Sequence, residues 1–506
     1  MARSHGFGWY LTGGLAALVV TLVAQTGLAT VHAEQAAQTA PAAAPAAPAV
    51  TFTKDIAPIL QRSCQNCHRP GQVAPMSLLT YEDARPWARA IRQRTSIRDK
   101  AGAMPPWYIE KNIGIQQLKH DPSLSDEEVA KIARWVDAGA PRGNPADMPP
   151  PLKWADDSVW SIGTPDLIVE SPEILVKANS PDWWGELEPV KIPLDEDRYV
   201  AAIEMKEVND IPSGDQGRET VGARYVFHHL IWSAAVLEEG GELPESQGLG
   251  LWPVHEVGRN ADVFDPRAGR ELKANSSLIF ESTHLHSNGR DTKARLRFGF
   301  KLHPKGYKPD YRSTLRALGN GLDIDIKPNE ANQQLHAYLV LERPMKVVTF
   351  EPHLHAPGAR MCLEYIWGIN IQTLSCSGYD HNWVRQYEYQ DDYAPLLPKG
   401  AILHITGYMD NTEKNKNIPD PRNWQGSGNR SIANMFIDLG QSIALTEEQF
   451  QDEMAKRREK RKMKKNDYFV DCPLCGVPPP PPPTATSQPQ APPPKTTTTE
   501  QRQQPQ

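Results

Sequence analysis

The sequence predicts a multidomain chain: an all-α domain over 51–150, then two antiparallel β-sandwich (jelly-roll) domains over 155–315 and 320–445. Three observations lead there. The 506 residues suffice for roughly three domains of about 150 residues each. The stretch SLSDEEVAKIARWVDAG places Ser125 as a helix N-cap, Glu128 three residues on, and Ile132, Trp135 and Val136 on one helical face. From about residue 155 to 450, short β-branched and aromatic runs such as DLIVE, DRYVAAIEM, KARLRFGFKLH and AILHITGYM alternate with Gly/Pro/Asn/Asp breaks. Strands at that spacing, with few long helical patterns between them, argue for antiparallel sandwiches.

The N-terminal 1–33 segment reads as a signal peptide. Arg3 supplies a sparse positive start, Trp9 to Ala29 is mostly apolar, and Val31-His32-Ala33 fits a small-residue cleavage site. An uncleaved membrane anchor is the alternative. The expected address is therefore periplasmic or secreted, with attachment to the membrane or cell envelope if the segment is retained. Residues 34–50 form an Ala/Pro linker with no capacity to build a core. The two low-complexity ends account for much of the modest 39% hydrophobic content, and the net charge of −6 gives no reason to expect a nucleic-acid partner.

Within 51–150, SCQNCHRPG contains C-x-x-C-H at Cys64, Cys67 and His68, the attachment pattern for one covalent c-type haem. The thiols bond the haem vinyl groups, and the adjacent histidine is held beside the iron. GAMPPWY offers Met104 as second axial ligand, and Met76 in APMSL is the competitor. The Met104 segment resembles the methionine loop of small class I cytochromes c. The order C-x-x-C-H, methionine, final helix makes this the expected cytochrome c domain. A thioether opposite imidazole raises the potential, which suits electron transfer.

The boundary between the sandwiches falls near Ser313 to Gly321. CLEYIWGINIQTLSC reads as a hairpin turning at Gly368-Ile369-Asn370, which would set Cys362 opposite Cys376 for a cross-strand disulfide. DCPLCG carries a second close pair, Cys472 and Cys475, for which a local disulfide is expected. Residues 446–470 read as a charged, solvated surface helix, acidic at its start and basic at its end, and 471–506 as a Pro-rich disordered tail.

Histidines cluster by motif in the β region: His228-His229 in VFHHLIW, His284 and His286 in STHLHSNG, His353 and His355 in EPHLHAPG. Residues i and i+2 of a strand share a face, so the H-x-H pairs can converge on one ion. Adjacent His228 and His229 point apart on a regular strand and can share an ion only at a bulge or strand end.

The order HH, HLH, HLH over two β domains resembles the copper type II, ascorbate-dependent monooxygenases, the peptidylglycine α-hydroxylating and dopamine β-monooxygenase family. The likeness covers roughly 190 to 440 and includes YMDNTEKNKNIPDP near its end. The resemblance implies two copper ions. An electron-storing copper would take His228, His229 and His284. An oxygen-binding copper would take His353, His355 and Met435, the three residues it marks as catalytic. Two departures stand: the acidic pair that usually precedes that methionine is Ala433-Asn434 here, and the Asp-Asn-Ser loop is Asp410-Asn411-Thr412. Met409 and Met361 compete with Met435, while His255, His286, His381 and His404 receive no chemistry.

The function so implied is hydroxylation of a C–H bond with O2. The partners are O2, a small-molecule or peptide-like substrate, and an electron donor, either ascorbate or a redox protein, with the haem relaying electrons. The soft thioether favours Cu(I), the state that meets O2. The alternative reading is a non-catalytic periplasmic electron-transfer or copper-binding protein.

Overall fold

The computed structural model describes residues 49–70, 72, 74–154, 159–211, 224–238, 252–256, 261–321, 324–428 and 433–477. The signal-peptide reading and most of the linker and Pro-rich tail lie outside these residues. Among the described residues, no helix is long and apolar enough to cross a membrane.

The described chain is mostly antiparallel β-sheet. Residues 167–302 form two sheets. One runs Leu167–Glu170, Thr292–Leu302, Arg198–Asn209, Ala261–Val263, with Ile174–Val176 and Arg270–Leu272 paired at its sides. The other runs Trp183–Lys191, Ser277–Leu285, Phe227–Ala235, His255–Glu256. Alternate residues of their strands, among them Trp232, Phe280, Phe298 and Phe300, build a common apolar core. Residues 312–444 form further antiparallel sheets, the largest ordered Gln333–Val340, Ile402–Met409, Gly358–Trp367, Asn370–Gly378.

The expected all-α cytochrome c domain is not evident. Between 49 and 150 the chain forms four short α-helices, Ala57–Ser63, Tyr81–Ala84, Ala88–Thr95 and Asp126–Asp137, the longest of twelve residues. The last is built as its sequence demands, with a reciprocal capping box between Ser125 and Glu128. The physical reason for the correction lies in residues 102–122. Gly102, Pro105, Pro106, Gly114 and Pro122 rule out a continuous helix there. The apolar residues between them, Trp107, Ile109, Ile115 and Leu118, are buried in the core of the C-terminal sheets. Ile109 bridges Ser377 and Leu118 bridges Tyr389. Residues 107–118 thus share a core with the sheets that follow.

The disulfide Cys362–Cys376 joins facing positions of the hairpin, and Cys472–Cys475 closes locally. Trp367 pairs with Asn370, so the turn consists of Gly368 and Ile369, with Gly368 at φ 61°. Helix Glu447–Lys460 is not solvated all round. Phe450 and Met454 pack with Leu396, Ile443 and the Cys472–Cys475 pair, and buried Arg457 binds Asp471.

Candidate metal centre

The sheet of strands 183–191, 277–285, 227–235 and 255–256 carries the first histidine set. Across it, Trp184 faces His284, His284 faces His229, and His229 faces Glu256. Directly opposed residues of an antiparallel ladder project to one face, so these four side chains form a row. The register shifts between Phe227 and His229, which makes His228 the extra residue of a bulge. That irregularity lets neighbouring histidines turn toward one ion.

One ligand atom from each of His228, His229 and His284 lies within 4.8 Å of the others, the one such group of three His, Cys, Asp or Glu among the described residues. Ring centroids are 4.7 Å apart for His228 and His284, and 5.1 Å for His229 and His284. Trp184 stacks on His284 at 3.9 Å, and Asp182 Oδ2 lies 3.4 Å from its Nε2. The Nδ1 atoms of His228 and His284 are buried without a hydrogen-bond partner. Burial lowers the imidazole pKa of His228, lowers that of His229 to about 4, and with the neighbouring imidazoles lowers that of His284 to about 2. Neutral imidazoles with orphaned nitrogens fit a metal site, since a cation accepts the lone pairs that the protein leaves unmatched. The His286 ring lies 5.4 Å from that of His228 but commits its Nε2 to the Tyr225 carbonyl, donating at 3.0 Å.

His353 lies on strand Pro352–Leu354 and His355 just beyond it, with ring centroids 5.4 Å apart. The partner strand Phe436–Asp438 sets His353 opposite Ile437 and Leu354 opposite Phe436. Met435 precedes Phe436, one residue beyond the end of that ladder, while Leu354 and Phe436 point into the core. The competing Met361 and Met409 are fully buried core residues. Nδ1 of both His353 and His355 is buried and without a hydrogen-bond partner. Burial and the neighbouring His353 and His381 hold His355 neutral, at about 2. His381 was given no role by the sequence, yet its ring lies 6.3 Å from that of His355, and burial lowers it to about 4. His404 belongs elsewhere: its Nδ1 meets Glu364 at 2.9 Å and its Nε2 meets His336 at 3.0 Å.

Glu256 links the two sets and was missed by the sequence reading. It is buried, and its Oε1 lies 3.4 Å from His353 Nδ1. Burial would push its carboxyl up, but His353, His229 and His228 outweigh that and hold it at about 2.

In the C-x-x-C-H segment, Cys64 and Cys67 stay out of the disulfides that take the other four cysteines. Nδ1 of buried His68 lies 3.3 Å from the Met76 carbonyl, the contact by which a backbone oxygen orients a ligating imidazole with Nε2 outward. Two free thiols and an oriented histidine fit covalent haem. Met104 is 41% exposed. Its loop is tied to the second histidine set: the Gly102 amide donates to Asp380 at 2.8 Å, and Asp380 precedes His381.

The depressed imidazole values carry a pH dependence. As pH falls below about 6.5, the unfolded chain binds protons that the folded chain refuses. The metal-free protein should therefore lose stability progressively from pH 6.5 toward pH 4, where His229 and His381 begin to titrate in the folded state. Thermal melts across pH 8 to 4 check this, and a flat Tm through that window would contradict it.

Comparison with protein families finds no match, and comparison with curated proteins finds none. Among solved structures, the chain shows similarity to cowpea mosaic virus top component, naturally occurring empty particles, at 11% identity over 57% of this chain and 92% of that one, TM-score 0.28. Recombinant N-glycanase F (PNGase F) is similar at 9% identity over 56% of this chain and 96% of that one, TM-score 0.25. Likenesses this remote carry no inference about function.

Proposed function

We propose that the chain is an exported, copper- and haem-dependent monooxygenase that hydroxylates a C–H bond with O2. The observation that carries this reading is the gathering of His228, His229 and His284 at metal-binding distances, with His353 and His355 close by across one buried carboxylate. Copper held by His353, His355 and Met435 would supply O2 activation, copper held by His228, His229 and His284 one-electron storage, and haem on Cys64, Cys67 and His68 an electron relay. Met104, with Met76 as its competitor, would supply that haem's sulfur ligand.

The protein's own part is to present neutral imidazoles, to bury them from water, and to hold the Met104 loop on Asp380 beside the second set. The likeness of the HH, HLH, HLH order to the copper type II family supports the same reading. Candidate substrates are small molecules or peptides, and the donor is ascorbate or a redox protein.

One observation favours a second reading, a non-catalytic electron-transfer or copper-binding protein. Only the first set closes into a full trio of His, Cys, Asp or Glu ligands among the described residues. Metal analysis separates the two. The oxygenase reading expects two coppers and one haem per chain, and O2 uptake by the reduced protein that depends on added substrate. One copper, or none, with no such uptake rejects it.

A further inference from the structure

We infer that Glu256, carried on the sheet of the first histidine set, is a positioning residue that orients His353 of the second set. This rests on the copper reading above.

Its register opposite His229 puts its side chain on the face that carries His229 and His284. From that edge strand its Oε1 reaches to 3.4 Å from His353 Nδ1, and neither buried atom has a hydrogen-bond partner. Two other buried carboxylates among the described residues are matched by arginines. Asp438 is matched by Arg316 and by two backbone amides, and Asp471 by Arg457 and Arg461. Glu256 faces an imidazole instead.

Burying a carboxylate is costly unless positive charge lies beside it. Metal ions on the two sets would bring that charge. A carboxylate facing Nδ1 also selects the tautomer that leaves Nε2 free to ligate, and it raises the basicity of the ring. Glu256 lies on a different sheet from His353, so the same contact holds the two sets in register with each other.

The test uses the full-length protein and Cu(II) alone as probe. Copper is titrated against a chelator of known affinity, and each set is followed by its paramagnetic resonance signal, with His353→Ala used to assign the second. Glu256→Ala should weaken the second set by about 10- to 100-fold, the usual cost of losing an outer partner of a ligand. It should alter that signal alone. Glu256→Gln should fall between, because its amide oxygen still accepts a hydrogen bond but carries no charge. If the alanine variant fails to fold by circular dichroism, the near-isosteric glutamine variant decides.

Wild-type affinity and spectrum at the second set in both variants would overturn the role of Glu256 while leaving the copper reading intact. Equal weakening of both sets would overturn it as well, because a general loss of structure then suffices. Wild-type protein that binds no copper would overturn the copper reading and this inference together.

Discussion

Under the proposed oxygenase activity, replacing His353 with alanine should leave less than about 1% of substrate-dependent O2 consumption, because loss of a direct copper ligand would cost more than the 10- to 100-fold that follows loss of an outer partner. The first set should keep its copper and its spectrum, since His228, His229 and His284 belong to another sheet. His353 is the right probe because two separate features fix it. Its strand pairs it with Ile437, two residues from Met435, and Glu256 faces its Nδ1. His286→Ala is the matched control. That imidazole spends its Nε2 on the Tyr225 carbonyl, so its loss should cost far less activity. Oxygen-electrode assays with metal analysis of each variant check both expectations. Full turnover by His353→Ala would remove His353 from the reaction.

The parts of this site that were legible in the sequence are local. Alternation marks strands, and i, i+2 spacing puts His353 and His355 on one side of their segment. Two adjacent histidines can share one ion only at a bulge or strand end, and the ladder does slip at His228. The Cys362–Cys376 hairpin is similarly local. What stayed hidden depends on pairing between distant segments. Nothing near WPVHEVG says that Glu256 will sit opposite His229, and nothing near YDHNW says that His381 will approach His355. The all-α expectation for 51–150 failed for a related reason. Helical signals at the two ends are real, but the residues between them are stabilised by burial against Tyr387 and its sheet neighbours, as in the edge-on contact of Trp107 with Tyr387 at 4.9 Å. Sequence periodicity has no term for a partner that lies far along the chain.

The largest expected loss of stability comes from a residue that no motif flags. Asp438 and Arg316 are wholly buried together, with side chains 0% and 1% exposed. Arg316 Nε donates to Asp438 Oδ2 at 2.9 Å, and its Nη2 donates to the Thr349 carbonyl at 2.9 Å. The other carboxylate oxygen accepts the amides of Glu351 and Gly440, each at 3.0 Å. Asp438→Ala would strand a guanidinium in the core and orphan both amides. Breaking a buried pair in this way costs about 3–5 kcal/mol, a large share of the roughly 5–15 kcal/mol that holds a domain folded. Removing both charges together, as in Arg316→Met with Asp438→Leu, should cost less than the single change, because the penalty lies in the uncompensated charge. Urea unfolding of the two variants measures this through the midpoint, and a single-variant loss below about 1 kcal/mol would contradict it. The same change should reach the candidate metal centre. The Glu351 amide held by Asp438 begins the segment that carries His353, and Asp438 itself ends the strand that carries Phe436 opposite Leu354. With that anchor gone, the His353 and His355 imidazoles lose the fixed backbone that aims them. Copper at the second set should then weaken more than copper at the first, under conditions where the variant is still folded.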